Sequence, residues 1–146
     1  MNTLTNTATM AENQTKGYKG NLEFDVEEND NFRKVVYTGN QLQLVLMSLK
    51  PGEEIGIETH EEIDQFFRFE SGSGTCFINE SKYCIKAGDA IIVPAGSQHN
   101  VINTSTAFDL KMYTIYTPPN HQDGIVRATK KDAETIAESF DGLTTE

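Results

Sequence analysis

Between residues 33 and 116 the chain alternates apolar and polar positions in short runs, and Gly, Pro, Asn and Ser separate the runs. A two-residue alternation marks a half-buried strand, because successive strand side chains point to opposite faces. The pattern predicts strands at about 33–37 (RKVVY), 42–49 (LQLVLMSL), 54–60 (EIGIETH), 65–70 (QFFRFE) and 74–78 (GTCFI). More follow at about 82–86 (KYCIK), 89–93 (DAIIV), 98–103 (QHNVIN) and 108–116 (FDLKMYTIY). Strands in this number, with tight turns and no helices between them, imply an all-β antiparallel sandwich or barrel. Reversals are marked by Pro51-Gly52, Gly72-Ser73-Gly74, Ala87-Gly88-Asp89 and Pro94-Ala95-Gly96-Ser97.

Helical spacing appears only near the C-terminus. Thr129 is placed to cap a helix with Asp132 at its third position, and Ala133, Ile136, Ala137 and Phe140 recur on one face. This predicts a short helix at about 130–140, stopped by Asp141-Gly142. Residues 1–20 are rich in Thr and Asn with isolated apolar positions, which predicts a disordered or loosely packed arm ahead of one domain at 21–146.

A chain of 146 residues buries enough surface to fold without a disulfide or metal. The 12 Lys+Arg against 22 Asp+Glu give a net charge of −10, which argues against nucleic acid or an anionic membrane as partner. No apolar run is long enough to span a bilayer and no secretory pattern is visible, so the cytoplasm is the expected address. Cys76 and Cys84 fall in adjacent predicted strands, where they could face each other, and are read as free buried thiols.

The three histidines are His60, His99 and His121. Glu58 lies two positions before His60 on a predicted strand, so both point to one face. Gln65, Phe67 and Phe69 share one parity on the next strand, and His99 opens another after a Pro-Ala-Gly turn. If these strands close into a small barrel, Glu58, His60, Gln65 and His99 meet at one interior point. Imidazole, carboxylate and amide oxygen together suit a divalent metal ion.

At these residues the sequence resembles the cupin family. Gly88, Pro94, Gly96, His99 and Asn103 match the second cupin motif at every position. Gly52, His60 and Gly72 match the first, with Glu58 where a His is expected and Gln65 where a Glu is expected. Asp64 also competes for the carboxylate slot, but the gap to Gly72 and strand parity favour Gln65. The resemblance implies a cupin double-stranded β-helix (jelly-roll) barrel and a metal set of Glu58, His60, Gln65 and His99. The usual three His and one Glu become two His, one Glu and one Gln, so the ligand charge is unchanged. Gln is a weak neutral ligand, which leaves Glu58, His60 and His99 as the strong ones. Two His and one carboxylate are used by non-haem iron sites, and Zn, Mn and Ni stay open. Asn103 is read as a backbone-bonding residue rather than a ligand.

The resemblance further implies an enzyme, dioxygenase-like or isomerase-like, acting on a small polar molecule or sugar. The alternative is a non-catalytic sugar- or small-molecule-binding cupin with a vestigial metal site. His121 follows Pro118-Pro119 and reads either as an exposed loop residue or as a catalytic group brought over the barrel mouth. By parity Phe67, Phe69, Leu110, Met112 and Tyr116 line the barrel, while Phe66 and Arg68 face away. No inward Lys or Arg is identifiable, so a phosphorylated substrate has weak support. The implied partners are a small-molecule ligand and a second copy of the chain in a homodimer.

Overall fold

A computed structural model describes residues 14–146; the first thirteen residues of the predicted arm lie outside the described residues. The first element is helix α1 (Leu22–Glu28), and the strands β1 (Arg33–Thr38) and β2 (Gln43–Leu49) follow it. Next come β3 (Glu58–Thr59), β4 (Asp64–Ser71), β5 (Ser73–Ile78), β6 (Ser81–Lys86) and β7 (Ala90–Val93). The chain ends with β8 (Gln98–Ile102), β9 (Leu110–Thr117), β10 (Val126–Arg127) and a second helix α2 (Lys130–Thr135). Two antiparallel sheets face each other, one ordered β10-β1-β2-β9-β4-β7 and one ordered β3-β8-β5-β6. Among the described residues no helix is long and apolar enough to cross a membrane.

Register turns the sequence alternation into an interior. Val45, Thr114, Phe67 and Ile91 align across β2, β9, β4 and β7, and Met47, Met112 and Phe69 align one row away. Leu110, Met112, Phe67, Phe69 and Tyr116 are buried, as parity predicts, while Phe66 and Arg68 are half-buried on the other face. Cys76, Ile85 and Val101 of the smaller sheet close the core. Gly72 joins β4 to β5 at a φ of +88°, and a Cβ there would collide with the Asp109 carbonyl oxygen. Only glycine passes this point without moving the loop above it.

Asn103 fixes the reversal between β8 and β9. Its Nδ2 donates to the carbonyls of Leu49 (3.0 Å) and Phe108 (2.9 Å), and its Oδ1 accepts from the Ser105 amide (3.0 Å). The side chain is fully buried, so no solvent replaces these bonds. Asn103→Ala is expected to lower unfolding free energy by about 2–4 kcal/mol in urea titrations at pH 7.

Several expectations need correction. Helix α1 was not predicted, because only Val26 is buried and no apolar stripe announces it. Its signals are local: Asn21 caps it through the Phe24 amide (3.0 Å), and Glu23 and Asp25 occupy its first turn. The strand expected at 54–60 shrinks to Glu58–Thr59 plus a single bridge from Glu54 to Ile102, since Gly56 adopts a φ of +108°. The strand expected at 108–116 begins at Leu110. Helix α2 has the predicted Thr129 cap, bonded to the Asp132 amide at 3.1 Å, but it stops at Thr135. Beyond it the Phe140 amide donates to the Asn120 carbonyl and the Glu138 carboxylate to which His121 and Gln122 bond lies off the helix, so Ile136 is half exposed instead of packed. The cysteines do not oppose each other: Cys76 pairs with Tyr83 and Cys84 with Thr75, so Cys76 is buried and Cys84 exposed. Burial pushes the Cys76 thiol up to about 11, which keeps it protonated and inert.

Candidate metal centre

Strand β3 pairs with β8 so that Glu58 lies opposite His99. The turn at 94–97 is held on both sides: the Gly96 amide donates to the His60 carbonyl (2.8 Å) and the Ala95 amide to Asp64 Oδ1 (2.8 Å). Asp64 therefore serves the turn from the exposed face and takes no part in the interior. His99 Nδ1 donates to the Ser97 carbonyl (3.0 Å), which fixes the ring and leaves Nε2 as the lone-pair nitrogen.

The two imidazoles and the carboxylate converge. Glu58 Oε2 lies 3.3 Å from His60 Nε2 and 3.9 Å from His99 Nε2, and ligand atoms of all three fall within 4.8 Å of one another. The imidazole rings are 5.4 Å apart between centroids. His99 is almost completely buried, and His60 and Glu58 are half-buried, Glu58 being the more exposed of the two. Both Nε2 atoms are buried without a hydrogen-bond partner. Burial alone would raise the Glu58 pKa, but contact with His60 and the charges of His60, Arg33 and His99 outweigh it and hold the carboxyl below its ordinary value. The Glu58 carboxyl is held ionised and both imidazole Nε2 atoms are unsatisfied, which fits a divalent ion.

Gln65 lies on the inner face of β4, opposite Val93 and Tyr116. Its Nε2 donates to Thr114 Oγ1 (3.0 Å), and its buried Oε1 has no partner. The amide is thereby oriented with its oxygen, the atom able to bind a cation, left free.

His121 is buried, against the reading of an exposed loop residue. Its Nδ1 lies 2.5 Å from Glu138 Oε1, and its Nε2 lies 3.2 Å from the Tyr116 hydroxyl. Gln43 clamps its backbone, accepting from the His121 amide (2.9 Å) and donating to its carbonyl (2.7 Å). Burial lowers the imidazole pKa more than the Glu138 carboxylate raises it. Tyr116 in turn meets the His60 ring edge-on at 5.8 Å between centroids. Burial and then the Glu58 charge raise the pKa of its hydroxyl. A carboxylate, an imidazole and a phenol thus form one hydrogen-bonded chain ending beside the histidine cluster. Glu138 was not legible as part of it, because helical spacing placed that residue on α2.

Arg33 corrects the expectation that no cation points inward. It opens β1 with its side chain on the buried side, next to buried Val35 in the alternation, and only 8% of the residue is exposed.

A family model described as a cupin domain matches residues 45–116. Uncharacterized protein L612 of Acanthamoeba polyphaga mimivirus is 39% identical over 118 residues, covering 79% of this chain and 74% of its own length. The chain belongs to the cupin family. Uncharacterized protein YrkC of Bacillus subtilis (strain 168) is 44% identical over 124 residues, 81% of this chain. This cupin spans 66% of that relative's length. The crystal structure of BH2720 from Bacillus halodurans superposes with a TM-score of 0.80 at 38% identity, covering 84% of this cupin and 96% of that chain.

Proposed function

We propose that this cupin is a divalent-metal-dependent enzyme acting on a small polar organic molecule. The observation that carries the reading is the pair of buried, unpartnered Nε2 atoms of His60 and His99 facing the Glu58 carboxylate. Glu58, His60 and His99 are the principal ligands, and Gln65 offers its free Oε1 as a weaker fourth. A divalent ion held there supplies a Lewis acid that polarises a bound oxygen. The protein's own groups supply proton handling. Tyr116 presents its hydroxyl, His121 Nε2 accepts from it, and Glu138 holds the imidazole by Nδ1. That order, phenol to imidazole to carboxylate, suits movement of a proton to or from substrate. It favours isomerase-like chemistry over dioxygenase-like chemistry, with His121 acting through Tyr116 as a positioning residue.

The test is metal content. Purified protein is expected to hold about one divalent ion per chain, and chelation is expected to lower the melting temperature reversibly. An ion at 100 times its dissociation constant stabilises by roughly 2.7 kcal/mol, which calorimetry reads directly. Fe(II), Zn(II), Mn(II) and Ni(II) are compared for recovery. A protein that takes up no ion while binding small molecules normally would favour a non-catalytic binding cupin.

A further inference from the structure

Arg33 is a buried cation that the metal chemistry does not use. Its Nε is buried without a hydrogen-bond partner, and among the described residues no carboxylate lies within ion-pair distance of its guanidinium. The other arginines with a buried orphan Nε differ from it. Arg68 is half-buried and near Glu70 (3.7 Å), and Arg127 donates to the Val126 carbonyl. An unpaired buried charge is costly, and a fold keeps one where something else completes it.

The guanidinium carbon lies 5.4 Å from the centre of the Phe32 ring. The aromatic contact engages one face of the planar group, and at its edge Nε has no hydrogen-bond partner among the described residues. Strand β1 belongs to the sheet whose β9 carries Tyr116, and Arg33, Val35, Val45, Thr114 and Tyr116 are all buried on its inner face, so the guanidinium shares the interior with the proton chain, and its charge acts on Glu58, Tyr116, His121 and Glu138. A fork of parallel donors matches a carboxylate or a phosphate bound at two oxygens, and net charge decides between them.

We propose that Arg33 anchors a small monocarboxylate substrate beside the metal centre. This rests on the metal reading, because the charge balance requires it. With the ligating imidazoles neutral, as ligation demands, a guanidinium and a divalent ion outweigh Glu58 and Glu138 by a single positive charge. One carboxylate neutralises that surplus. A phosphate dianion exceeds it, and the metal-free protein has no surplus to offer. The metal and the guanidinium together would hold the acid by its oxygens, presenting its carbon skeleton to the Tyr116 hydroxyl.

The test uses the full chain loaded with Co(II), metal content measured first, then calorimetric titration with L-lactate, lactamide and inorganic phosphate. Lactate is expected to bind only the loaded protein, and more tightly than either lactamide or phosphate. Arg33→Met is expected to keep Co(II) stoichiometry and to lose lactate affinity by at least about tenfold. Arg33→Lys keeps the charge without the fork and is expected to lose about threefold or more. Failure of the wild type to take up Co(II) would sink the metal reading and this anchor with it. Co(II) uptake without lactate binding, or with lactamide or phosphate binding as tightly, would sink the anchor alone. So would wild-type lactate affinity in Arg33→Lys, even if Arg33→Met proved unstable. Loss of Co(II) in both variants would assign Arg33 to balancing the metal cluster and overturn the anchor.

Discussion

His99→Ala is expected to lower metal affinity by more than about 100-fold and to leave the chain folded. Loss of a group that merely supports a ligand already costs about 10- to 100-fold, so loss of a ligand itself sets a higher floor. Of the three proposed ligands His99 has the least freedom to be replaced. Its ring is pinned through Nδ1 to the Ser97 carbonyl, and its Nε2 is sealed from solvent. The fold survives because the core rows run through β2, β9, β4 and β7, which His99 only borders. His60→Ala is expected to behave alike. Gln65→Ala should cost much less, since a neutral amide oxygen contributes little to a divalent ion. Metal analysis after dialysis, with circular dichroism on the same samples, checks the set. Full occupancy in both histidine variants would contradict the assignment, and a Gln65→Ala loss equal to that of His99→Ala would make Gln65 a full ligand.

What was readable in advance divides along a physical line. Strand alternation is a property of neighbouring residues, so the barrel lining of Phe67, Phe69, Leu110, Met112 and Tyr116 could be read from parity alone. The convergence of Glu58, His60 and His99 needed one more assumption, that the strands close. The gap between Glu58 and His60 and the fixed Pro94–Gly96 turn made that assumption productive. Arg33 escaped although the signal was present, because Arg33 and Val35 share a face and Lys34 points out. The preference of charged residues for solvent hid the alternation. Glu138 escaped for a different reason. Its position depends on contacts across seventeen residues, from His121 and Gln122 to the segment after α2, and no local spacing encodes such a contact. The same holds for Gln43, whose amide clamps His121 from 78 positions away.

Glu138→Ala is expected to cost about 2–4 kcal/mol of unfolding free energy at pH 7, and the cost should depend on pH in a defined sense. Both carboxylate oxygens are used, Oε1 by His121 Nδ1 at 2.5 Å and Oε2 by the Gln122 amide at 2.7 Å, in a side chain that is only 6% exposed. Truncation leaves two donors with no partner. Burial alone would raise the Glu138 pKa, but the bonds from His121 and Gln122 hold it below its ordinary value. A carboxyl depressed on folding contributes stability above its unfolded value of about 4.3 and loses it as pH falls through the lower folded value. His121 is likewise depressed, by burial, so its share is present above its unfolded value of about 6.5 and is lost on acidification. Glu138 moderates that second loss by favouring the imidazolium. The gap between wild type and Glu138→Ala should therefore persist or widen from pH 7 to about 4.5, then close below it as the carboxylate protonates. Glu138→Gln retains an acceptor for Nδ1 but not the charge, and should recover part of the stability without the closing of the gap. Urea titrations at half-unit pH steps decide the matter. A gap that is flat from pH 7 to 3 would mean that the carboxylate is not ionised against His121, and the proton chain from Tyr116 would lose its anchor.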